Sequence, residues 1–254
     1  KANEASVSTP VTTIFLPSKI PMPSTVVVGG CLWQARWMKI GIIGGTGPAG
    51  SGLALRLNVA GYDVVIGSRE KSRSIEKVKE LQALWPSHKL TIQGGDNAEA
   101  VNCDLVVVAT PWDSTATIVG DYASQLAGKI VITMANALVK VGKEFQPLVP
   151  PRGSIAAHVQ AEIPLSKVVA ALQHLPAKEL GNLHHHVDSD VLICSDSSEA
   201  RTIVMDITAH IPGCRPLDAG ELSNATAIEA FTAVLLQLNV RYKTRVAPKL
   251  TGIT

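Results

Sequence analysis

The stretch Lys39-Ile40-Gly41-Ile42-Ile43-Gly44-Gly45-Thr46-Gly47-Pro48-Ala49-Gly50 constrains this chain more than any other. An apolar run ends in a turn of the pattern GxGxxG, set by Gly45, Gly47 and Gly50, and a helical stretch follows. Each glycine has a physical reason. Gly45 allows the tight turn, Gly47 lacks a Cβ so that a pyrophosphate can reach the backbone, and Gly50 lets the helix pack close to the strand. The helix then presents free N–H groups and the positive end of its dipole to the phosphates. A strand before and a helix after the turn are both present, so the stretch reads as a dinucleotide-binding fingerprint.

The next strand refines that reading. The first helix runs through Leu53, Leu55 and Leu57 and stops near Gly61, and Asp63-Val64-Val65-Ile66 follows as a strand. At its end an NAD-binding chain places an acid against the ribose 2′-hydroxyl. Here the residues are Gly67-Ser68-Arg69-Glu70-Lys71-Ser72-Arg73. A serine hydroxyl and guanidinium groups suit a 2′-phosphate, which an acid would repel. The expectation is NADP rather than NAD, held by Ser68, Arg69 and Arg73. The plain alternative is a solvated helix start, since Glu70, Lys71 and Glu76 are ordinary helix-surface residues. That alternative weighs most at Arg73, one helical turn further on.

Composition bounds the rest. A chain of 254 residues with 46% apolar and 17% charged residues has material for a sizeable core. The net charge of +2, with scattered basic residues, gives no case for nucleic acid. No apolar run reaches the ~20 residues of a membrane helix, so no membrane partner is expected. Cys31, Cys103, Cys194 and Cys214 lie far apart without a CxxC, which fits neither a zinc site nor a disulfide framework. Buried thiols in a reducing cytoplasm are the expectation. Residues 1–37 are rich in Ser, Thr, Pro and Val and read as an N-terminal extension, poorly ordered, before a fold that begins at Met38. A short strand over Ser24–Val28 is open.

From Met38 onward, strand and helix patterns alternate, predicting an α/β fold with a doubly wound, Rossmann-type parallel sheet. Expected helices cover 74–84, 97–101 (capped by Asp96) and 115–126; expected strands cover Leu90–Ile92, Leu105–Ala109 and Ile130–Ile132. In such a sheet ligands sit beyond the carboxyl ends of the strands. Thr110, Pro111 and Trp112, and Thr133 to Asn136, therefore share a rim with the glycine turn. The proline-rich segment Gln146–Gly153 reads as a linker between an NADP-binding domain (38–150) and a smaller C-terminal α/β domain (151–254) that closes the cleft. Beyond it, 155–163 is helical, Lys167–Leu172 and Asp190–Cys194 are strands, and 199–210 is helical. The last element, about Asn224 to Asn239, is apolar all round, as in a helix buried between domains or in a homodimer interface.

Several stretches together make the chain similar to the F420H2:NADP+ oxidoreductases. They are Met38–Gly50, Val64–Arg69, Val106–Trp112, Val168–Leu183, the run Arg215-Pro216-Leu217-Asp218-Ala219-Gly220 with Leu222-Ser223-Asn224, and the tail from Asn239 to Ile253. The resemblance implies NADPH in the first domain and the deazaflavin of coenzyme F420 stacked on the nicotinamide beneath the second. It implies that Thr46, Gly47, Pro48 and Ala49 line the diphosphate and nicotinamide side, with Gly45 in the turn. It places Ser68, Arg69 and Arg73 at the 2′-phosphate. Thr110, Pro111 and Trp112 lie beneath the nicotinamide, with Ala135 and Asn136 beside it. The deazaflavin pocket falls to Ala137, Leu138, Gln173, His174, Leu175, Leu222, Ser223 and Asn224. Archaeal members carry a histidine where this chain has Gln173, with His174 one place later.

Hydride transfer between two flat rings needs no nucleophile and no metal, because the cofactors carry the chemistry and the protein supplies stacking and orientation. No catalytic side chain is therefore expected. Asn136, Gln173 or Asn224 offer amides to a pyrimidine edge, or else satisfy their own neighbours. His184-His185-His186, followed by Asp188 and Asp190, read as a solvated loop rather than a metal site, since adjacent strand residues point to opposite faces. His174 reads as a satisfied strand-end histidine. Two alternatives stay open: an NADPH-dependent reductase of a flavin, quinone or ferric chelate, and a non-catalytic NADP(H)-sensing module.

Overall fold

The computed structural model describes residues 38–253 and two short strands nearer the start. Those strands, β1 (Val27–Val28) and β2 (Cys31–Leu32), pair antiparallel and belong to a unit separate from that of residues 35–254. The rest of the expected extension over residues 1–37, and its expected disorder, lie outside the described residues.

From Met38 the apolar runs and their breaks build one α/β unit. The first half holds β3 (Lys39–Ile43), α1 (Pro48–Val59), β4 (Asp63–Ser68), α2 (Lys71–Leu84), β5 (Gln93–Asp96), α3 (Asn97–Val101), β6 (Leu105–Val108), α4 (Trp112–Gly120), α5 (Ala123–Leu126) and β7 (Ile130–Thr133). An antiparallel hairpin, β8 (Leu138–Val141) with β9 (Glu144–Pro147), precedes α6 (Ile155–Glu162) and β10 (Lys167–Ala170). The remainder is α7 (Ala177–Leu180), β11 (Ser189–Ile193), α8 (Ser198–Ala209), β12 (Cys214–Asp218), a 3-10 turn at Leu222–Asn224 and α9 (Ala225–Tyr242).

The main sheet has the order β10-β7-β6-β3-β4-β5, with every neighbouring pair parallel. This is the doubly wound order expected from the sequence. Strand order reverses between β3 and β6, which opens a crevice at their carboxyl ends. The two-residue period of the strands sorts their side chains onto two faces. Ile40, Ile42, Leu105, Val107, Ile130 and Ile132 pack on one side with Leu53 and Leu57 of α1. Ile43, Val106, Val108, Val131 and Val168 pack on the other with Ile155 and Val159 of α6. Each fully buried aliphatic side chain contributes ~1.5–3 kcal/mol, so the sheet centre is a rigid platform for the rim above it.

Some expectations shift. The third strand pairs over Gln93–Asp96 rather than Leu90–Ile92. Leu90 and Ile92 are buried anchors before it, and the Thr91 N–H donates to the Asn58 carboxamide instead of joining the ladder. The strand uses Gly94 because a Cβ there would lie 2.6 Å from the Ile75 nitrogen of α2. The helix expected over 115–126 is two helices, and the first begins earlier, at Trp112 behind Pro111. Asp96 caps α3 as expected, in a full capping box with Glu99.

The Rossmann sheet does not stop at residue 150, because its sixth strand, β10, lies beyond the proline-rich segment. Glu144–Pro147, expected at the edge of the linker, is a strand of the hairpin. The parallel pair β11–β12 is joined to the main sheet by an antiparallel bridge between Ala170 and Cys194.

Candidate functional site

The glycine turn has the geometry its sequence demands. Gly44 sits at φ +71°, where L side chains are strained, and a Cβ on Gly50 would lie 2.8 Å from the Gly45 Cα. Gly47 differs. Its backbone is extended, at φ −72° and ψ 163°, and an added Cβ would meet only the Gly44 carbonyl oxygen, at 3.5 Å. Protein packing therefore does not require glycine at 47; the space in front of it is open. Pro48 opens α1, whose N-terminus has no side-chain cap, so its first amides are free to hold an anion. Thr46 and Ala49 flank this opening.

Ser68 closes β4 and is buried, and its hydroxyl oxygen accepts from the Glu70 N–H at 3.4 Å. Arg69, which follows it, and Arg73, in the first turn of α2, are exposed, and neither enters an ion pair among the described residues. The nearby charges Lys71 and Glu99 neutralise each other at 2.6 Å. Neither the Arg69 nor the Arg73 guanidinium is committed to a partner among the described residues.

On the other side of the switch point, the ends of β6, β7 and β10 surround a cavity of about 340 Å³. Nine of the expected residues line it: Thr110, Pro111, Trp112, Ala135, Asn136, Leu138, Gln173, His174 and Leu175. The Thr110 and Thr115 hydroxyls bond at 2.9 Å, and the Thr115 hydroxyl donates to the Pro111 carbonyl at 2.9 Å, which fixes the loop that carries Trp112. The Asn136 amide donates to the Gln173 carbonyl at 2.8 Å, and its oxygen accepts from the Thr232 hydroxyl at 3.2 Å. Its side chain thus serves its neighbours, the second of the two readings open for it from the sequence. Gln173 is buried, and neither polar atom of its carboxamide has a hydrogen-bond partner. The turn that presents it is strained, because Leu172 adopts φ +67°.

His174 is 3% exposed, and burial pulls its pKa down to about 4, so the ring is neutral. Its Nε2 donates to the Asp190 carbonyl oxygen at 3.0 Å in the tautomer protonated there, and the Leu192 N–H lies 3.3 Å from the same nitrogen. It stands at the strand end as expected, but its buried Nδ1 has no hydrogen-bond partner, so it is not the fully satisfied histidine the sequence suggested. Asp190 itself is fully buried and bound by two nitrogens of Arg215, at 2.8 and 2.7 Å, which holds its carboxyl below the usual range. Arg215 also donates to the carbonyls of Leu250 and Ile253, so the Arg-Pro-Leu-Asp run secures the C-terminal tail rather than a ligand.

Four expected pocket residues do not line the cavity. Ala137 and Leu222 pack into the core. Ser223 is exposed, and the Asn224 amide donates to the Ala219 carbonyl at 2.7 Å. In their place α9 supplies Thr232, Leu235, Leu236 and Asn239, the turn into α7 supplies Pro176 and Ala177, and the tail supplies Val246. The spacing of Thr232, Leu235, Leu236 and Asn239 places them on one helical face, and two polar residues within that apolar stripe were the available signal. His184 and His186 are exposed loop residues, and among the described residues no cluster is suited to a metal ion.

Comparison with known proteins accords with this geometry. Residues 39–137 match the family model described as NADP oxidoreductase, coenzyme F420-dependent. The F420-dependent NADP reductase of Methanocaldococcus jannaschii is 36% identical over 213 residues, covering 82% of this chain and 95% of that protein. The metalloreductase STEAP3 of Rattus norvegicus is 32% identical over 199 residues, 78% of this chain but 37% of that protein. A solved structure from Arthrobacter sp. FB24, titled as an F420-dependent NADP-reductase, shares the fold with a TM-score of 0.72 at 24% identity, covering 84% of this chain and 99% of that one. With more than four-fifths of the chain aligned to the M. jannaschii protein, nearly end to end on that side, the chain belongs to the family of F420-dependent NADP reductases.

Proposed function

We propose that this chain transfers a hydride between NADP(H) and the deazaflavin coenzyme F420. One observation carries the reading: the segment Thr110–Trp112, at the end of β6 beside the switch-point crevice, and Ala135–Asn136, after the neighbouring β7, both line the cavity. A nicotinamide emerging from the crevice and a flat ring in the cavity would share that rim. NADPH, when bound, supplies the hydride, and the deazaflavin accepts it.

The residues of the chain bind, orient and exclude water. Gly47 and the amides opening α1 hold the diphosphate. Ser68, Arg69 and Arg73 hold the 2′-phosphate, and Thr110, Pro111 and Trp112 support the nicotinamide. Leu138, Leu175, Leu235 and Leu236 give the acceptor an apolar seat. The unpartnered Gln173 carboxamide is suited to a cyclic imide, whose adjacent C=O and N–H match its own donor and acceptor. His174, neutral at physiological pH, adds no charge to the wall.

The parts after residue 150 that line the cavity, namely α9, the turn into α7 and Val246 of the tail, act as the cover of this cleft. A homodimer is part of the proposal, supported by the stripe Phe231, Val234, Leu238 and Tyr242 along α9, of which Phe231, Val234 and Tyr242 are exposed. A cytoplasmic setting is supported by the free buried thiols of Cys103, Cys194 and Cys214. Among the described residues no helix is long and apolar enough to cross a membrane.

The test mixes the protein with NADPH and, separately, F420, FMN and ferric citrate, and follows absorbance at about 340 and about 420 nm. Rapid loss at both wavelengths with F420 supports the proposal. Reduction of flavin or iron alone assigns the other acceptor class. NADPH binding without turnover of any acceptor leaves a sensing module.

A further inference from the structure

A buried guanidinium on the diphosphate helix has no part in holding either ring. Arg56, near the end of α1, is 3% exposed. Its Nε donates to the Leu180 carbonyl at 3.0 Å, and one Nη donates to the carbonyls of Glu179 at 2.7 Å, His185 at 2.9 Å and Asn182. All four acceptors lie in residues 179–185. No ion pair among the described residues includes Arg56. Burying a cation without a carboxylate partner is costly, and burial pulls its pKa below the ordinary arginine value. The four carbonyl oxygens, two at the end of α7 and two in the loop after it, compensate, and the Glu179 carboxylate adds a favourable charge without forming an ion pair.

One turn earlier on the same face of α1, a Cβ on Gly52 would lie 2.9 Å from both the Gly181 nitrogen and the Leu180 Cβ. Here α1 has a notch that admits α7 against its backbone, and an arginine that fastens α7's end. The opposite end of α7 is the cavity wall: Leu175, Pro176 and Ala177 line it. Four residues of helix span only ~6 Å, so the fastened end and the wall move together.

We infer that Arg56 is a positioning residue, which holds the Leu175–Ala177 wall of the acceptor cavity at a fixed place relative to the nucleotide-binding helix. The inference rests on the reading that this cavity takes the acceptor. Turnover of F420 by the wild type is therefore measured first, and its absence would overturn both.

With wild-type turnover in hand, Arg56→Met is expected to raise the KM for F420 about tenfold while the KM for NADPH stays within about twofold. Arg56→Lys should fall between, because an ammonium reaches fewer carbonyls than the planar fork. A purely structural arginine would instead lower melting temperature and active fraction, and so kcat, with both KM values unchanged. That result, or a parallel rise of both KM values, overturns the inference. If Arg56→Met does not fold, Arg56→Lys decides alone: a selective rise for F420 supports it, and unchanged or jointly changed KM values overturn it.

Discussion

The Asn136 side-chain amide donates to the Gln173 backbone carbonyl across 2.8 Å, tying the exit of β7 to the exit of β10 at the floor of the acceptor cavity. Its oxygen, held by the Thr232 hydroxyl at 3.2 Å, brings α9 into the same joint. Replacing it should loosen three elements at once. Asn136→Ala is expected to lose about 1–3 kcal/mol of stability, by denaturant unfolding, and to raise the KM for the acceptor more than that for NADPH. A variant with wild-type stability and kinetics would contradict the joint.

In the proposed site, Arg69 would offer its charge only to a nucleotide that bears the 2′-phosphate. Arg69→Ala is expected to weaken NADPH by roughly 10–100-fold, the worth of a charge-assisted bond, and to leave NADH nearly unchanged. Titration of nucleotide fluorescence with both cofactors checks this. Equal losses would remove Arg69 from the phosphate site.

Gly47 allows a cleaner test than its neighbours. Its φ of −72° suits any residue, and a Cβ there meets nothing closer than 3.5 Å. Gly47→Val should keep its circular dichroism and melting temperature while losing both NADPH and NADH, because the branched side chain fills the space a diphosphate needs. Retained nucleotide binding would remove the glycine argument.

These residues also show what was legible in the sequence. The Gly45–Gly50 turn and the Asp96 cap are local chemistry, set by residues within one turn of each other, and could be read without the fold. The β8–β9 hairpin alternates as Val139-Lys140-Val141, but its second strand runs into the proline-rich segment, so that Gln146 and Pro147 read as linker. β12 was hidden by Pro216, which the ladder tolerates because β12 pairs with β11 alone. Thr232 and Asn239 within the apolar stripe mark that face of α9 as unusual, but what it meets depends on the contact between residues 136 and 232, which no local pattern encodes. The same holds for Arg56, which looks like a surface residue until residues 179–185 fold over it.

Glu229 on α9 makes stability depend on pH. Its carboxylate accepts from the Ile155 and Ala156 N–H groups at the start of α6, at 2.8 and 3.0 Å. Burial nevertheless pushes its pKa up from 4.5 to about 7. The Cys194 thiol nearby, raised to about 12 chiefly by burial, stays neutral throughout. Between 4.5 and about 7 the folded state holds a proton that the unfolded state releases. The stability this group contributes is therefore full below that window and falls as pH rises through it. Glu229→Gln should flatten this part of a melting-temperature curve against pH. An unchanged slope would assign it to other groups.

The central claim is a direct hydride transfer between two rings that share the rim formed by Thr110–Trp112 and Asn136. It is tested most directly by single turnover with NADPH deuterated at the transferable nicotinamide position, followed by mass spectrometry of the reduced deazaflavin. The account predicts one deuterium on the product's carbon, with none lost to water. Label appearing in solvent, or an unreduced deazaflavin, would contradict it.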